Sequence, residues 1–385
     1  MSQQNATPRR SLFSVEHEQF RDQVRRFVAQ EIAPNHFQWE QERQVPREIW
    51  RQAGALGLLC CTVAQQWGGS DADYLYSVIV LEELALAHSP GPGFAMHSEM
   101  AVPYIVNFGS EEMKARWLPR LCTGEAISGI AMSEPSGGSD LHAMRTRAHH
   151  ASGGWSLSGQ KVFISNGQLG DVFVVAAKTA DTDAMSLFVV ESDRPGFKRG
   201  RNLEKLGHHA QDTSELFFDE VLLPAENLIG EAGRGFQYLM HGLARERLAI
   251  CVLCQSRAEA VLRDTVAYTA EREAFGQKLS QMQNTRFVLG GIKADLLAGR
   301  AFVDSLISAY VAGQLDSATA AAGKLWVTES LGRTVDACLQ LYGGWGYMRE
   351  YPISRAYADA RVERIAGGSS EIMKEIVART LWPRA

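Results

Sequence analysis

Residues 125–232 are written in a different period from the chain on either side, and that switch leaves few architectures open. Before it, from Glu16 to about Leu121, apolar residues recur at helical spacing. In EHEQFRDQVRRFVAQEIAP, Phe20, Val24, Phe27 and Val28 share one face, and the run closes before Pro34. PREIWRQAGALGLL, YSVIVLEELALA and SEEMKARWLPRL continue that pattern. Then GWSLSGQKVFISNG, DVFVVAAKT, MSLFVVES and SELFFDEVLLP follow one another as short segments rich in β-branched and aromatic residues, divided by Gly, Asp, Asn and Pro, which predicts strands and tight turns. From Phe236 long helical runs return, with a last one beyond Ser370; four such helices on short connections predict a bundle. Because the strands do not alternate with helices, the expected class is α+β, mostly α, and not a doubly wound sheet. The expected division is a helical domain over 1–124, a small β domain over 125–232 and a helical bundle over 233–385, a reasonable load for 385 residues. No strand leads into GGWGY at Gly343, so that stretch is no dinucleotide fingerprint of the strand-turn-helix kind.

Charge and cysteine content remove other classes. A net charge of −5 from 39 basic and 44 acidic residues makes no field of one sign, so nucleic acid is not an expected partner. Six scattered cysteines suit a reducing compartment better than a disulfide framework. Cys251 and Cys254 have metal or redox spacing, but they lie in an apolar helical run without a second such pair or a nearby His, so they read as core and no metal is expected. The opening MSQQNATPRR lacks an apolar signal core, and no apolar run reaches membrane-spanning length. A cytoplasmic protein without membrane insertion is the expectation.

Four stretches could carry chemistry. AMSEPSGGSD is glycine-rich with small hydroxyl residues, so its backbone N–H groups could approach an anionic or polar cofactor, although a plain loop reads the same way. In KVFISNG, alternation places Phe163 and Ser165 on one face and Val162 and Ile164 on the other; core packing is the competing reading. EREAFGQKLSQMQ contains Arg272, which would equally serve as a solvated charge at a helix end, and QLYGGWGY brings glycines whose missing side chains let backbone approach a pyrophosphate. In this order and spacing the four resemble the acyl-CoA dehydrogenase family, from about Phe13 to Arg379.

The resemblance implies a barrel-like middle domain, a four-helix C-terminal bundle and FAD. It implies that Met132 and Ser133 contact FAD and that Ser139 faces the ligand. Phe163, where the family usually has Trp, would pack against the isoalloxazine while Ser165 hydrogen-bonds its N5, and Ile164 between them counts among the cofactor-binding positions. Arg272, Phe275 and Gln283 match positions that reach the FAD of a neighbouring subunit, and Gln340, Gly343 and Gly344 match positions at a pyrophosphate. Ser369 and Glu371 match FAD contacts, and Gly368 admits the substrate closely. A cofactor shared between chains implies a homo-oligomer, a homotetramer by resemblance, and an electron-transfer flavoprotein is the implied electron acceptor.

Dehydrogenation between the α and β carbons of an acyl-CoA requires a positioned carboxylate with its pKa raised towards the working pH. Many family members carry that Glu just before the Gly of the last motif; here RVERIAGGSSEIMKE places Gly367 there, without a side chain. The long helix offers a replacement. In YLMHGLARERLAI, Leu239, Leu243, Glu246 and Ile250 form an apolar stripe, and no Lys or Arg lies three or four positions from Glu246. An inward carboxylate without a local partner is costly unless the site uses it; the alternatives are a distant arginine partner or water at the helix edge. The long-chain and isovaleryl branches of the family carry their base here in a Glu-Arg pair, which Glu246-Arg247 matches. By resemblance Arg247 contacts CoA or steadies the site, and the Gly367 N–H donates to the thioester carbonyl. Competing functions are a flavin oxidase or monooxygenase on the same scaffold and a non-catalytic binding protein. GFAMHSEM is a candidate for the floor of the acyl pocket, whose length and branching preference the residues do not declare.

Overall fold

The computed structural model describes residues 10–179 and 184–382. The N-terminal part is built from α1 (Val15–Phe27), α2 (Ala33–Glu42), α3 (Arg47–Ala55), α4 (Tyr74–Leu86), α5 (Val102–Phe108) and α6 (Glu111–Cys122). Side-chain caps set three of its six starts: Ser14 for α1, Asp73 accepting from the Leu75 N–H at 2.8 Å for α4, and Ser110 accepting from the Met113 N–H at 3.1 Å for α6. A short π-helical stretch, Met96–Ala101, leads into α5 and carries most of GFAMHSEM.

The middle part holds β1 (Ser128–Ala131), β2 (Arg147–Ala151), β3 (Gly154–Ser165), β4 (Val172–Thr179), β5 (Met185–Glu191), β6 (Phe197–Asn202), β7 (Thr213–Pro224) and β8 (Leu228–Ile229). They form one sheet in the order β6-β7-β3-β2-β4-β5-β8, with β1 parallel to β4. The four strands read from sequence are β3, β4, β5 and β7; the structure adds the shorter β1, β2, β6 and β8. The near-continuous apolar run of β4 has a physical cause. Val172, Val174 and Ala176 face the helical core, while Phe173, Val175 and Ala177 fill a second core with Trp155, Phe188 and Phe218. The strand is buried on both faces, so its sequence does not alternate.

The C-terminal part contains α7 (Gly235–Glu271), α8 (Gln283–Val311), α9 (Ser317–Tyr342), α10 (Pro352–Ala360) and α11 (Ser370–Ala378), with the hairpin β9 (Glu273–Ala274) and β10 (Gln277–Lys278) between α7 and α8. The 37 residues of α7 make a rod of about 55 Å, against which α4, α8 and α9 pack. Cys251 and Cys254 are buried in that packing as free thiols, their pKa values pushed up by burial. Among the described residues no cluster of His, Cys, Asp and Glu has the makings of a metal site, and no helix is long and apolar enough to cross a membrane.

Candidate active site

Glu246 lies on α7 with 5% of its surface exposed. Its Oε1 accepts a hydrogen bond from the Tyr104 hydroxyl at 2.6 Å, and Tyr104 is itself buried on α5. The distant arginine allowed for by the sequence is not its partner. Arg245, one residue earlier, pairs instead with Glu99 at 2.7 Å. Burial raises the Glu246 pKa to about 7, against the lowering effects of the Tyr104 hydroxyl and the neighbouring Arg247 charge. Tyr104 reaches α7 because Gly242 stands one turn before Glu246: a Cβ on Gly242 would lie 2.5 Å from the Tyr104 hydroxyl oxygen. Arg247 is buried, and its Nη1 donates to the Ser317 carbonyl at 3.2 Å and hydroxyl at 2.8 Å at the start of α9, leaving Nε without a hydrogen-bond partner.

Gly367 packs against the same stripe of α7. It has φ +64°, and a Cβ there would meet the Ile250 Cδ1 at 2.7 Å, four residues beyond Glu246. One helical turn, about 6 Å of rise, therefore separates the carboxylate's attachment point from the residue packed on the glycine turn. Lys324 on α9 fixes that turn: its fully buried Nζ donates to the Glu363 carbonyl at 3.1 Å and the Gly368 carbonyl at 2.7 Å. Gly368 has φ +98° and hands the chain to Ser369, the N-cap of α11, whose hydroxyl accepts from the Ile372 N–H at 3.4 Å. Glu371 stands exposed in the first turn of α11; its own backbone N–H and then the Ser369 hydroxyl hold its carboxyl below the usual range.

The β domain contributes an anchored loop and a displayed ring. Glu134 in SEPSGGSD is buried and bonded to Lys161 Nζ at 2.8 Å, the Arg145 N–H at 2.6 Å and the Thr146 N–H at 3.0 Å. Burial alone would raise its pKa, but Lys161 and these donors hold it at about 2. Lys161 also donates to the Met132 carbonyl at 3.1 Å, and the Ser133 carbonyl accepts from the Val162 N–H at 3.0 Å, so the loop is tied to β3. Ser139 is exposed at its far end. Along β3 the inward positions run Trp155, Leu157 and Lys161, and strict alternation would carry Phe163 inward too. A β-bulge between Lys161 and Ile164 changes the phase. Val162 and Ile164 become buried, Ser165 is partly buried, and Phe163, at φ +63°, is 69% exposed.

The remaining motif residues gather at the other end of α7. Arg272, Gln340, Gly343 and Gly344 line a cleft of about 540 Å³ with Tyr268 and Trp345. A Cβ on either glycine would meet no atom within 4 Å, so the cradle is open. Phe275 (φ +53°) and Gly276 (φ +74°) form the two-residue turn of the β9–β10 hairpin, where positive φ at both central positions matches a type I′ turn. Phe275 is 96% exposed there, and Gln283 is exposed at the start of α8. Bulky residues seldom take positive φ. Phe163 and Phe275 are the two described phenylalanines that do, and both are held outward.

Models of the acyl-CoA dehydrogenase N-terminal, middle and C-terminal domains match residues 14–125, 129–221 and 233–382. The chain belongs to the acyl-CoA dehydrogenase family. It is 45% identical to a long-chain specific acyl-CoA dehydrogenase, mitochondrial, of Sus scrofa over 97% of this chain and 88% of that one. Its fold matches the crystal structure of an acyl-CoA dehydrogenase from Geobacillus kaustophilus with a TM-score of 0.94 and 42% identity, covering 96% of this chain and 99% of that one. A glutaryl-CoA dehydrogenase from Mycobacterium smegmatis, in complex with FADH2, matches with a TM-score of 0.91 and 30% identity, over 97% and 96% of the two chains.

Within this acyl-CoA dehydrogenase fold, five residues of the site escaped the sequence reading: Tyr104, Gly242, Lys324, Glu134 and Lys161. Lys324 and Lys161 carried a signal, each being a lone cation in an apolar run, AAAGKLWV and QKVFI. Tyr104 and Gly242 carried none, since their meaning is a contact across 138 positions of chain.

Proposed function

We propose that the protein is an FAD-dependent acyl-CoA dehydrogenase that converts an acyl-CoA thioester to its 2,3-enoyl-CoA, with Glu246 taking the α proton. The observation that carries this is a buried carboxylate with a raised pKa, one helical turn from the residue packed on the Gly367 turn. FAD, when bound, supplies the acceptor for the β hydride. The chain's own residues do the rest. Glu246 accepts the proton from a position almost closed to solvent. The Gly367 N–H donates to the thioester carbonyl as charge develops on it. Lys324 holds the turn so that this donor keeps its direction. The outward ring of Phe163 and the loop tied by Glu134 and Lys161 fit the flavin end of the dinucleotide, with Met132, Ser133 and Ser165 beside the ring, while Ile164, whose side chain is packed in the core of the sheet, offers only its backbone.

Arg272 follows Glu246 by 26 residues of α7, about 39 Å of helix rise, beyond the span of one dinucleotide. That separation supports, by likeness to the family, the reading that Arg272, Phe275, Gln283, Gln340, Gly343 and Gly344 serve the FAD of a neighbouring subunit in a homotetramer. An electron-transfer flavoprotein takes the electrons onward, and the six buried free thiols suit a reducing compartment such as the cytoplasm. Likeness to the long-chain relative favours a long acyl substrate.

The decisive test is anaerobic bleaching of the flavin by a panel of acyl-CoAs. The wild type is expected to bleach, most rapidly with long chains. Glu246→Gln should retain FAD and lose bleaching by a factor of about 10³ or more, the scale of general-base loss together with positioning. Full activity in that variant refutes the assignment of the base.

A further inference from the structure

A buried carboxylate that must take a proton from carbon needs one oxygen free and the other held. Ionised glutamate can only accept hydrogen bonds, so its orientation depends on a donor. Arg247 lies beside Glu246 in sequence but spends its Nη1 on Ser317. The hydrogen bond that Glu246 does make is with the Tyr104 hydroxyl, at 2.6 Å and to Oε1, in the short range typical of charge-assisted O–H···O⁻ pairs.

We propose that Tyr104 is a positioning residue for the reaction: its phenol holds Glu246 Oε1 in place and leaves Oε2 as the atom that receives the α proton. This rests on the reading of Glu246 as the base. Tyr104 cannot take the proton itself, because burial and the adjacent Glu246 carboxylate push its own ionisation far above the usual tyrosine range, and it remains a donor throughout. Its place is fixed from both sides. Val102 and Ile105 bury α5 in the helical core, and Gly242 opens the surface of α7 where the hydroxyl lands. The phenol stabilises the ionised carboxylate more than the neutral acid, which opposes the effect of burial and keeps the base available at lower pH. Other charged groups near this junction are engaged. Arg247 acts on Glu246 through its charge, Lys324 of α9 is turned to the Glu363 and Gly368 carbonyls, and Glu99 before α5 is paired with Arg245.

The experiment uses FAD-loaded enzyme, palmitoyl-CoA and the variants Tyr104→Phe and Gly242→Ala. Anaerobic flavin reduction is followed from about pH 5.5 to about pH 9.5. In parallel, the infrared carboxyl band of Glu246, assigned by its loss in Glu246→Gln, is titrated without substrate. Losing one hydrogen bond to a charged group is expected to raise the midpoint of both profiles by about one unit. Reduction should then be about 10-fold slower near pH 6 and within about 3-fold of wild type near pH 9.5. Gly242→Ala, which drives the hydroxyl off Oε1 without removing the ring, should shift both midpoints the same way. An unmoved carboxyl midpoint, or a slowing equal at every pH, overturns the proposal. A wild-type flavin that stays oxidised with palmitoyl-CoA counts against the functional reading, while the infrared titration decides on Tyr104 independently.

Discussion

Glu246 ionises near 4.5 in an unfolded chain and near 7 in the fold, so between those values the native state holds the proton more tightly. Stability must therefore fall as pH rises through that window, and the cost is complete above about pH 7. Two and a half units correspond to about 3 kcal/mol. Glu246→Gln should accordingly be more stable than wild type by up to about 3 kcal/mol near pH 8 and about equal to it near pH 4, as read from urea unfolding at each pH. Gly367 makes a second claim at this scale. Alanine there meets both a left-handed backbone and the Ile250 Cδ1 at 2.7 Å. Gly367→Ala should lower stability by about 1–3 kcal/mol and slow flavin reduction. Adding Ile250→Val removes the colliding methyl and should return part of the loss, leaving the backbone share of about 1 kcal/mol. Complete recovery in thermal unfolding would show that the positive φ costs nothing. Glu246 was legible in the sequence because an inward acid without a cation three or four residues away is an anomaly that local periodicity exposes. Tyr104 was not, and Ile250 was legible only as part of that stripe, because the partner each meets is set by what lies opposite.

Strand β3 shows how an element turns a side chain from core to site. With no bulge, Phe163 would join Trp155 and Leu157 in the interior of the sheet. The reading of Phe163 and Ser165 as one face, opposite Val162 and Ile164, agrees with the structure only because of the phase change after Lys161, which alternation counted from Val162 onward cannot reveal. Lys161 is the hinge of that arrangement, buried at the bulge and bonded to Glu134 and to the Met132 carbonyl. Lys161→Met keeps the volume and removes the charge, stranding Glu134 with its two backbone donors. The expected outcome is a loss of about 3 kcal/mol in unfolding free energy and faster release of FAD on dialysis, with Glu134→Gln added to recover part of it. Unchanged flavin retention would mean that the loop needs no anchor. Strands β1, β2, β6 and β8 stayed invisible in the sequence for a related reason. At two to six residues each they are too short to display a period, and RAHHA or FKRGRN owe their extended form to the neighbours they pair with.

For the whole molecule, the question is what lies against α8. The first half of this helix, QNTRFVLGGIKADLLA, is exposed over most of its length although it carries Phe287 and Leu297, and Phe275 projects from the hairpin just before it. Tyr347 and Trp345 add exposed aromatic surface near the cleft that Arg272 and Gln340 line. Exposed apolar side chains in this number call for a partner, and most closed homo-oligomers bury theirs on a like surface. The sequence announced the helices of the bundle but not which of their faces would be left uncovered, since an outward apolar stripe and an inward one have the same period. If a second copy covers α8 and receives Phe275 beside its flavin, oligomer and cofactor are linked. Phe275→Ser combined with Phe287→Ser should then lower the particle mass in light scattering from four chains to two or one. FAD should be lost in proportion, and excess FAD should restore part of the larger species, because a ligand bound only by the assembled form stabilises it by mass action. Dissociated subunits that keep a full complement of FAD would instead place the whole dinucleotide site within one chain, and the distance along α7 between Glu246 and Arg272 would need another explanation.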